Sequence, residues 1–227
     1  MRPPAGNDGA SCDDANTCST GETCGGGACT GGTTVVCALC ETCDSGGGCM
    51  PAPRPGCKGT TRPRSAQLLL QDRAPDDLDQ VKWKWASGHA TTFAELGDPL
   101  ATDDHALCVF DAAGFLLRMT APAGGTCGTK PCWKQLGSAV TPKGYKYKDA
   151  DGLPHDLDGM TLKAGADGKA KMSLKGKGAN LPMPVLGDFS LPLTTQLQRE
   201  NGQCWEATFS RAGVKVDTSA QFGGESD

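Results

Sequence analysis

A chain of 227 residues has room for one large domain, or for a small module and a medium one, because domains cluster near about 100–150 residues. A formal charge of −4, from 22 Lys+Arg against 26 Asp+Glu, excludes the strongly basic balance of a general nucleic-acid binder. Thirteen cysteines exclude an ordinary reducing compartment, and no run approaches the roughly 18 apolar residues of a transmembrane segment.

The chain opens Met1-Arg2-Pro3-Pro4-Ala5-Gly6-Asn7-Asp8-Gly9, without the apolar stretch of a secretory signal. The cysteines nevertheless call for an oxidising, secreted or cell-surface setting, so the expectation is a piece of a longer exported protein. Nine cysteines follow between Cys12 and Cys57, separated by Gly25-Gly26-Gly27 and Gly46-Gly47-Gly48, with no aromatic residue before Trp83. Such a stretch buries little hydrocarbon and has to be held by cross-links, each contributing about 2–4 kcal/mol. Within it, Cys37, Cys40 and Cys43 have the C-x2-C-x2-C spacing that begins an iron–sulfur or zinc site. The continuation of a ferredoxin run is missing and no histidine stands nearby, which favours disulfides. Nine being odd, one of these thiols is left to pair outside the stretch or with another chain.

Met50 to Pro63 is rich in Pro, Gly and Arg, as an extended linker would be. The expected division is therefore a disulfide-rich module and linker over 1–61, a β domain over 62–220 and a disordered tail over 221–227. In the β domain Val81, Trp83 and Trp85 alternate with Lys82 and Lys84, the period of a half-buried strand. Three hairpins follow. Residues 106–110 and 115–119 flank Asp111-Ala112-Ala113-Gly114; Met160, Leu162 and Ala164 face Ala170, Met172 and Leu174; Leu193, Thr195 and Leu197 lead through Asn201-Gly202 to Trp205, Ala207 and Phe209. With strands at 66–71 and 145–147 the count is about nine. No helical period is sustained, and Pro142, Pro154, Pro182, Pro184 and Pro192 interrupt the candidate windows. The expected fold class is all-β, an antiparallel β-sandwich preceded by a small, loop-dominated, disulfide-rich module.

Several constellations carry candidate chemistry. Cys108, Cys127, Cys132 and Cys204 form an even set; the preferred pairing is Cys127–Cys132 with a long Cys108–Cys204 staple tying two hairpins together. Asp149, Asp151, Asp156 and Asp158 stand within ten residues beside glycines, a pattern suited to calcium. The spacing departs from an EF-hand loop at Leu153 and Met160, and Asp-Gly pairs are also ordinary turn chemistry. Trp83 and Trp85 offer sugar-stacking platforms, against which Cys132-Trp133 and Cys204-Trp205 suggest rings packed beside core disulfides. Lysines 163, 169, 171, 175 and 177 line one hairpin, Lys171 and Lys175 opposite its apolar side chains. They read either as a cationic strip for acidic polysaccharide or surface phosphate, or as an edge strand guarded against unwanted pairing. His89, His105 and His155 all read as solvated loop residues, and no nucleophile, metalloprotease or P-loop motif is present.

Two stretches carry a resemblance. Gly9-Ala10-Ser11-Cys12-Asp13-Asp14-Ala15-Asn16-Thr17-Cys18 through Cys29-Thr30-Gly31-Gly32 resembles the Cys-rich repeats of large exported proteins of myxobacteria and related bacteria. Gly144-Tyr145-Lys146-Tyr147-Lys148-Asp149 through Lys175 to Pro182, closing on Cys204-Trp205-Glu206-Ala207, is similar to an uncharacterised β domain of the same kind of protein. The resemblance implies export and a surface setting, and it carries no activity, ligand or catalytic residue. The expected function is a non-catalytic surface or adhesion-type module that binds surface polysaccharide or another extracellular protein. The alternatives are a secreted hydrolase using a carboxylate pair and a purely structural spacer.

Overall fold

The computed structural model describes residues 8–153, 155–200 and 202–227. The expected roles of the first seven residues, of the Pro154 break and of Asn201 in its turn lie outside the described residues. The chain divides into two compact units, Met1–Ala52 and Pro53–Asp227.

The first unit is made of short antiparallel ladders. β1 (Ser19–Thr20) pairs with β4 (Thr33–Thr34), β2 (Thr23–Gly25) with β3 (Ala28–Thr30), and β5 (Glu41–Cys43) with β6 (Cys49–Pro51). Bridges Cys12–Cys29, Cys18–Cys43 and Cys37–Cys49 staple them. Asp44 closes the β5–β6 turn by accepting from the backbone N–H of Gly46 and Gly48 at 2.9 and 3.0 Å. Of the nine, Cys24 is free and buried instead of paired elsewhere, and Cys57 does pair outside the stretch, with Cys204. Cys37, Cys40 and Cys43 are all disulfide-bonded, so this spacing serves cross-links and holds no metal-ligand set.

The second unit is a β-sandwich. Its strands are β7 (Ala66–Gln71), β8 (Gln80–Gly88), β9 (His105–Asp111), β10 (Gly114–Ala121), β11 (Thr126–Cys127), β12 (Lys130–Pro131), β13 (Trp133–Gly137), β14 (Pro142–Lys148), β15 (Gly159–Lys163), β16 (Ala170–Lys177), β17 (Leu193–Arg199), β18 (Cys204–Phe209), β19 (Val214–Thr218) and β20 (Gln221–Glu225). An eight-stranded sheet runs β13-β14-β15-β16-β8-β7-β20-β19, and a four-stranded sheet runs β10-β9-β17-β18. All three expected hairpins form, the second and third in the expected register, with Leu162 opposite Met172, Thr195 opposite Ala207 and Leu197 opposite Trp205, while the first shifts register between Phe115 and Leu117.

Alternation places one side of each strand in a shared core. Leu68, Leu70, Val81, Trp83, Trp85, Tyr145, Tyr147, Leu162, Met172 and Leu174 from the larger sheet meet Leu107, Val109, Leu117, Met119, Leu197, Trp205 and Phe209 from the smaller. Two indole N–H groups in this core are paired across the layers. The Trp83 indole N–H donates to Thr195 Oγ1 at 2.9 Å and that of Trp85 to the Glu206 carbonyl at 2.9 Å. The Trp85 ring lies where a side chain at residue 88 would stand, since a Cβ on Gly88 would come within 1.8 Å of it. That strand therefore ends on glycine.

Two boundaries differ from expectation. The stretch expected to be a linker belongs to the sandwich: Lys58 makes a parallel bridge to Trp205, its N–H bonding the Cys204 carbonyl while its own carbonyl accepts from Glu206. Arg54 and Gln196 bond reciprocally, Arg54 N–H to Gln196 Oε1 at 2.9 Å and Gln196 Nε2 to the Arg54 carbonyl at 2.8 Å. The strap thus covers the edge of β18, which would otherwise present unpaired backbone groups. At the other end the expected disordered tail is strand β20, paired with β7 and burying Phe222 completely. Its glycines hid it, yet Gly224 faces Phe209, whose ring would stand 3.4 Å from a Cβ there.

Candidate functional site: the lysine face of the eight-stranded sheet

The same alternation that buries Trp83 and Trp85 turns Lys82 and Lys84 outward. Across five consecutive strands lysines recur at the outward positions: Lys134 on β13, Lys146 and Lys148 on β14, Lys163 on β15, Lys171, Lys175 and Lys177 on β16, and Lys82 and Lys84 on β8. All are exposed. Nine of the 22 cationic side chains thus share one surface of a chain whose net charge is −4. The next two strands carry no lysine, Gln67, Leu69 and Gln71 of β7 pairing with Glu225, Gly223 and Gln221 of β20, and Lys215 on the outermost β19 is ion-paired with Glu225 at 3.5 Å.

The register sets several of these charges directly opposite one another. Lys134 faces Lys146, Lys163 faces Lys171, and Lys175 faces Lys82. Like charges in directly opposed positions are destabilising, so this arrangement costs the fold something and contributes nothing to it. Among the described residues Lys175 alone of the nine is ion-paired, with Asp158 Oδ2 at 3.8 Å. Nor is this an edge-strand guard, because β16 is the fourth strand of eight, flanked by β15 and β8. The edge explanation of Lys171 and Lys175 is therefore corrected by strand order.

Two concavities open on the face. The larger, of about 660 Å³, lies between the β11–β12 hairpin, closed by the Cys127–Cys132 bridge, and Lys134, Lys146 and Lys148, with Lys130 on the hairpin itself. The smaller, of about 250 Å³, is lined by Lys84, Lys163, Lys171, Thr161 and Ser173 with Trp85, Ala86 and Met172, and its wall is mostly apolar. The charge is thus gathered round two hollows.

The other expected site residues are placed elsewhere. Trp83 and Trp85 are 1% and 0% exposed and committed to core hydrogen bonds, so neither can stack on a sugar. Trp133 and Trp205 are also buried; the Trp133 indole donates to the Pro122 carbonyl at 2.7 Å and the Trp205 indole to Thr91 Oγ1 at 3.1 Å. Asp149, Asp151, Asp156 and Asp158 do not converge. Asp149 accepts from the Asp151 N–H at 2.9 Å and the Tyr147 hydroxyl at 3.3 Å, Asp151 from the Gly128 N–H at 2.7 Å, and Asp156 from the Asn180 N–H at 2.6 Å. These carboxylates order turns, and among the described residues no His, Cys, Asp and Glu cluster is set to hold a metal ion. Burial first and then Asp149 push the Tyr147 phenol well above its ordinary value, so it remains a donor.

Cys127–Cys132 pairs as expected, but Cys204 bonds to Cys57, anchoring the strap, and Cys108 is a half-cystine with a different partner. His105 is a strand residue, fully buried, and not a solvated one. Its Nδ1 lies 3.1 Å from the Asp103 carbonyl and its ring packs 5.7 Å from that of Trp133. Burial pulls its pKa down to about 4, against the opposing pull of Asp103. His89 stays exposed, 3.0 Å from Asp167.

Among the described residues no helix is long and apolar enough to cross a membrane. Compared with known proteins, the chain matches no family model, no curated protein and no solved structure.

Proposed function

We propose that this chain is a non-catalytic module of an exported surface protein that binds acidic polysaccharide on the lysine face of its eight-stranded sheet. The observation that carries the reading is the set of nine outward lysines on five adjacent strands, eight of them without an ion-pair partner among the described residues. Charges kept opposite like charges at a cost to the fold make a surface on which a bound polyanion relieves repulsion.

The chemistry of the face narrows the class of anion. It carries no aromatic side chain on which a base could stack, which disfavours single-stranded nucleic acid. It carries no arginine, whose planar fork suits bidentate recognition, and lysine ammonium groups act as point charges instead. A flat array of mobile point charges suits a polymer with repeated anionic groups, and the disulfides suit an extracellular setting in which such polymers occur.

Titration of the oxidised chain with carboxymethyl dextran and with uncharged dextran tests the reading. Binding should be confined to the charged polymer and should weaken sharply between about 0.1 and about 1 M salt, as the screening length falls from about 10 to about 3 Å. Equal binding of both polymers, or no binding of the charged one at low salt, would contradict it.

A further inference from the structure

The smaller concavity differs in kind from the rest of the face. Its three lysines come from three adjacent strands, Lys163 from β15, Lys171 from β16 and Lys84 from β8. Lys163 and Lys171 stand directly opposite one another, and so do Thr161 and Ser173, with Lys84 next to Ser173 in the same row across the sheet. The two hydroxyls are half-buried, and among the described residues neither makes a side-chain hydrogen bond within the protein. Three lysines and two residues with uncommitted hydroxyls therefore line one hollow of about 250 Å³, whose wall is mostly the apolar parts of its side chains.

That donor set exceeds the need of a carboxylate, which offers two oxygens in one plane. A sulfate or phosphate monoester offers three terminal oxygens splayed about one axis, open to donors from several sides. Hydroxyls supply direction that ammonium groups at the ends of flexible stems do not. The larger concavity, by contrast, has four lysines against a peptide wall and supplies charge to any anionic sugar.

Building on the polysaccharide reading, we infer that Lys84, Lys163, Lys171, Thr161 and Ser173 form a subsite for a tetrahedral oxyanion ester on the polymer. The face then prefers sulfated or phosphorylated polysaccharide to carboxylated polysaccharide. The row Lys134–Lys146–Thr161–Ser173–Lys84 runs perpendicular to the strands. A polymer laid along it crosses one strand about every 4.8 Å, close to the advance of one sugar in an extended chain.

Dextran sulfate, phosphorylated dextran and carboxymethyl dextran of matched charge density share one backbone and separate the contributions. The oxidised chain should bind at least one of the two esters about tenfold more tightly than carboxymethyl dextran, the effect of about one charge-assisted hydrogen bond. Strengthening by both esters assigns the subsite to the shared tetrahedral geometry, and strengthening by one assigns it to that ester. Thr161→Val with Ser173→Ala should remove the preference, weakening binding of the ester polymers about tenfold more than binding of carboxymethyl dextran. Lys134→Gln with Lys146→Gln should weaken all three polymers alike. Equal affinity for the three polymers, or a preference untouched by the Thr161/Ser173 double variant, would overturn the subsite alone. Failure of every polymer to bind would overturn the polysaccharide reading itself.

Discussion

Strands β13, β14, β15, β16 and β8 present two faces made by the same alternation, and the two have opposite chemistry. Inward they carry Trp133, Tyr145, Tyr147, Met160, Leu162, Met172, Leu174, Trp83 and Trp85, all buried. Outward they carry nine lysines, eight of them without an ion-pair partner among the described residues. The inner face holds the sandwich together through buried area and indole hydrogen bonds; the outer face adds repulsion. The difference teaches that stability and binding are assigned here to alternate residues of one strand, so the two can be altered separately.

Neighbours on β8 give the sharpest contrast. Trp83→Ala removes a 1%-exposed indole and its bond to Thr195, and should cost about 3–5 kcal/mol in denaturant unfolding. Lys84→Gln, one residue away and exposed, should change stability by less than about 0.5 kcal/mol while weakening polymer binding. A large stability loss from the lysine change would break the division between the faces.

The second effect is a pH dependence from His105, packed against Trp133 at the margin of the inner face. Its pKa is lowered from 6.5 to about 4 by burial, so between these values the unfolded chain binds a proton that the folded chain does not. Stability is then full above pH 6.5, is lost as pH falls towards 4, and is constant below with respect to this group. The loss should amount to about 3 kcal/mol, and His105→Gln should flatten that part of the stability profile. An unchanged profile in the variant would remove His105 as its source.

Much of the fold was legible in the sequence because alternation over 81–85 and the three hairpins is local and strong. What was missed had local reasons. β13 is five residues following a cysteine, and β20 is Gln221-Phe222-Gly223-Gly224-Glu225, which reads as a tail because Phe222 is its one apolar side chain. Strand order was not legible at all: β8 lies between β16 and β7, a partnership spanning many residues of chain. That order turned the lysines of one hairpin into the middle of a five-strand face. Lys82 and Lys84 were visible as the polar half of a strand, yet nothing local joins them to Lys171 and Lys175. The Cys57–Cys204 bridge spans 147 residues and was equally out of reach, since spacing alone cannot choose among pairings. Trp83 and Trp85 misled as sugar platforms because a sequence does not show that their N–H groups have partners inside.

Binding of polyanion at the outer face is tested most directly by lysine footprinting. The oxidised chain would be acetylated briefly at low salt with and without dextran sulfate, and modification at each lysine read by mass spectrometry. Slowed modification at Lys82, Lys84, Lys134, Lys146, Lys163 and Lys171, with Lys169 and Lys215 unchanged, is the predicted result. Protection centred on Lys169 and Lys215, or spread evenly over every lysine, would contradict it.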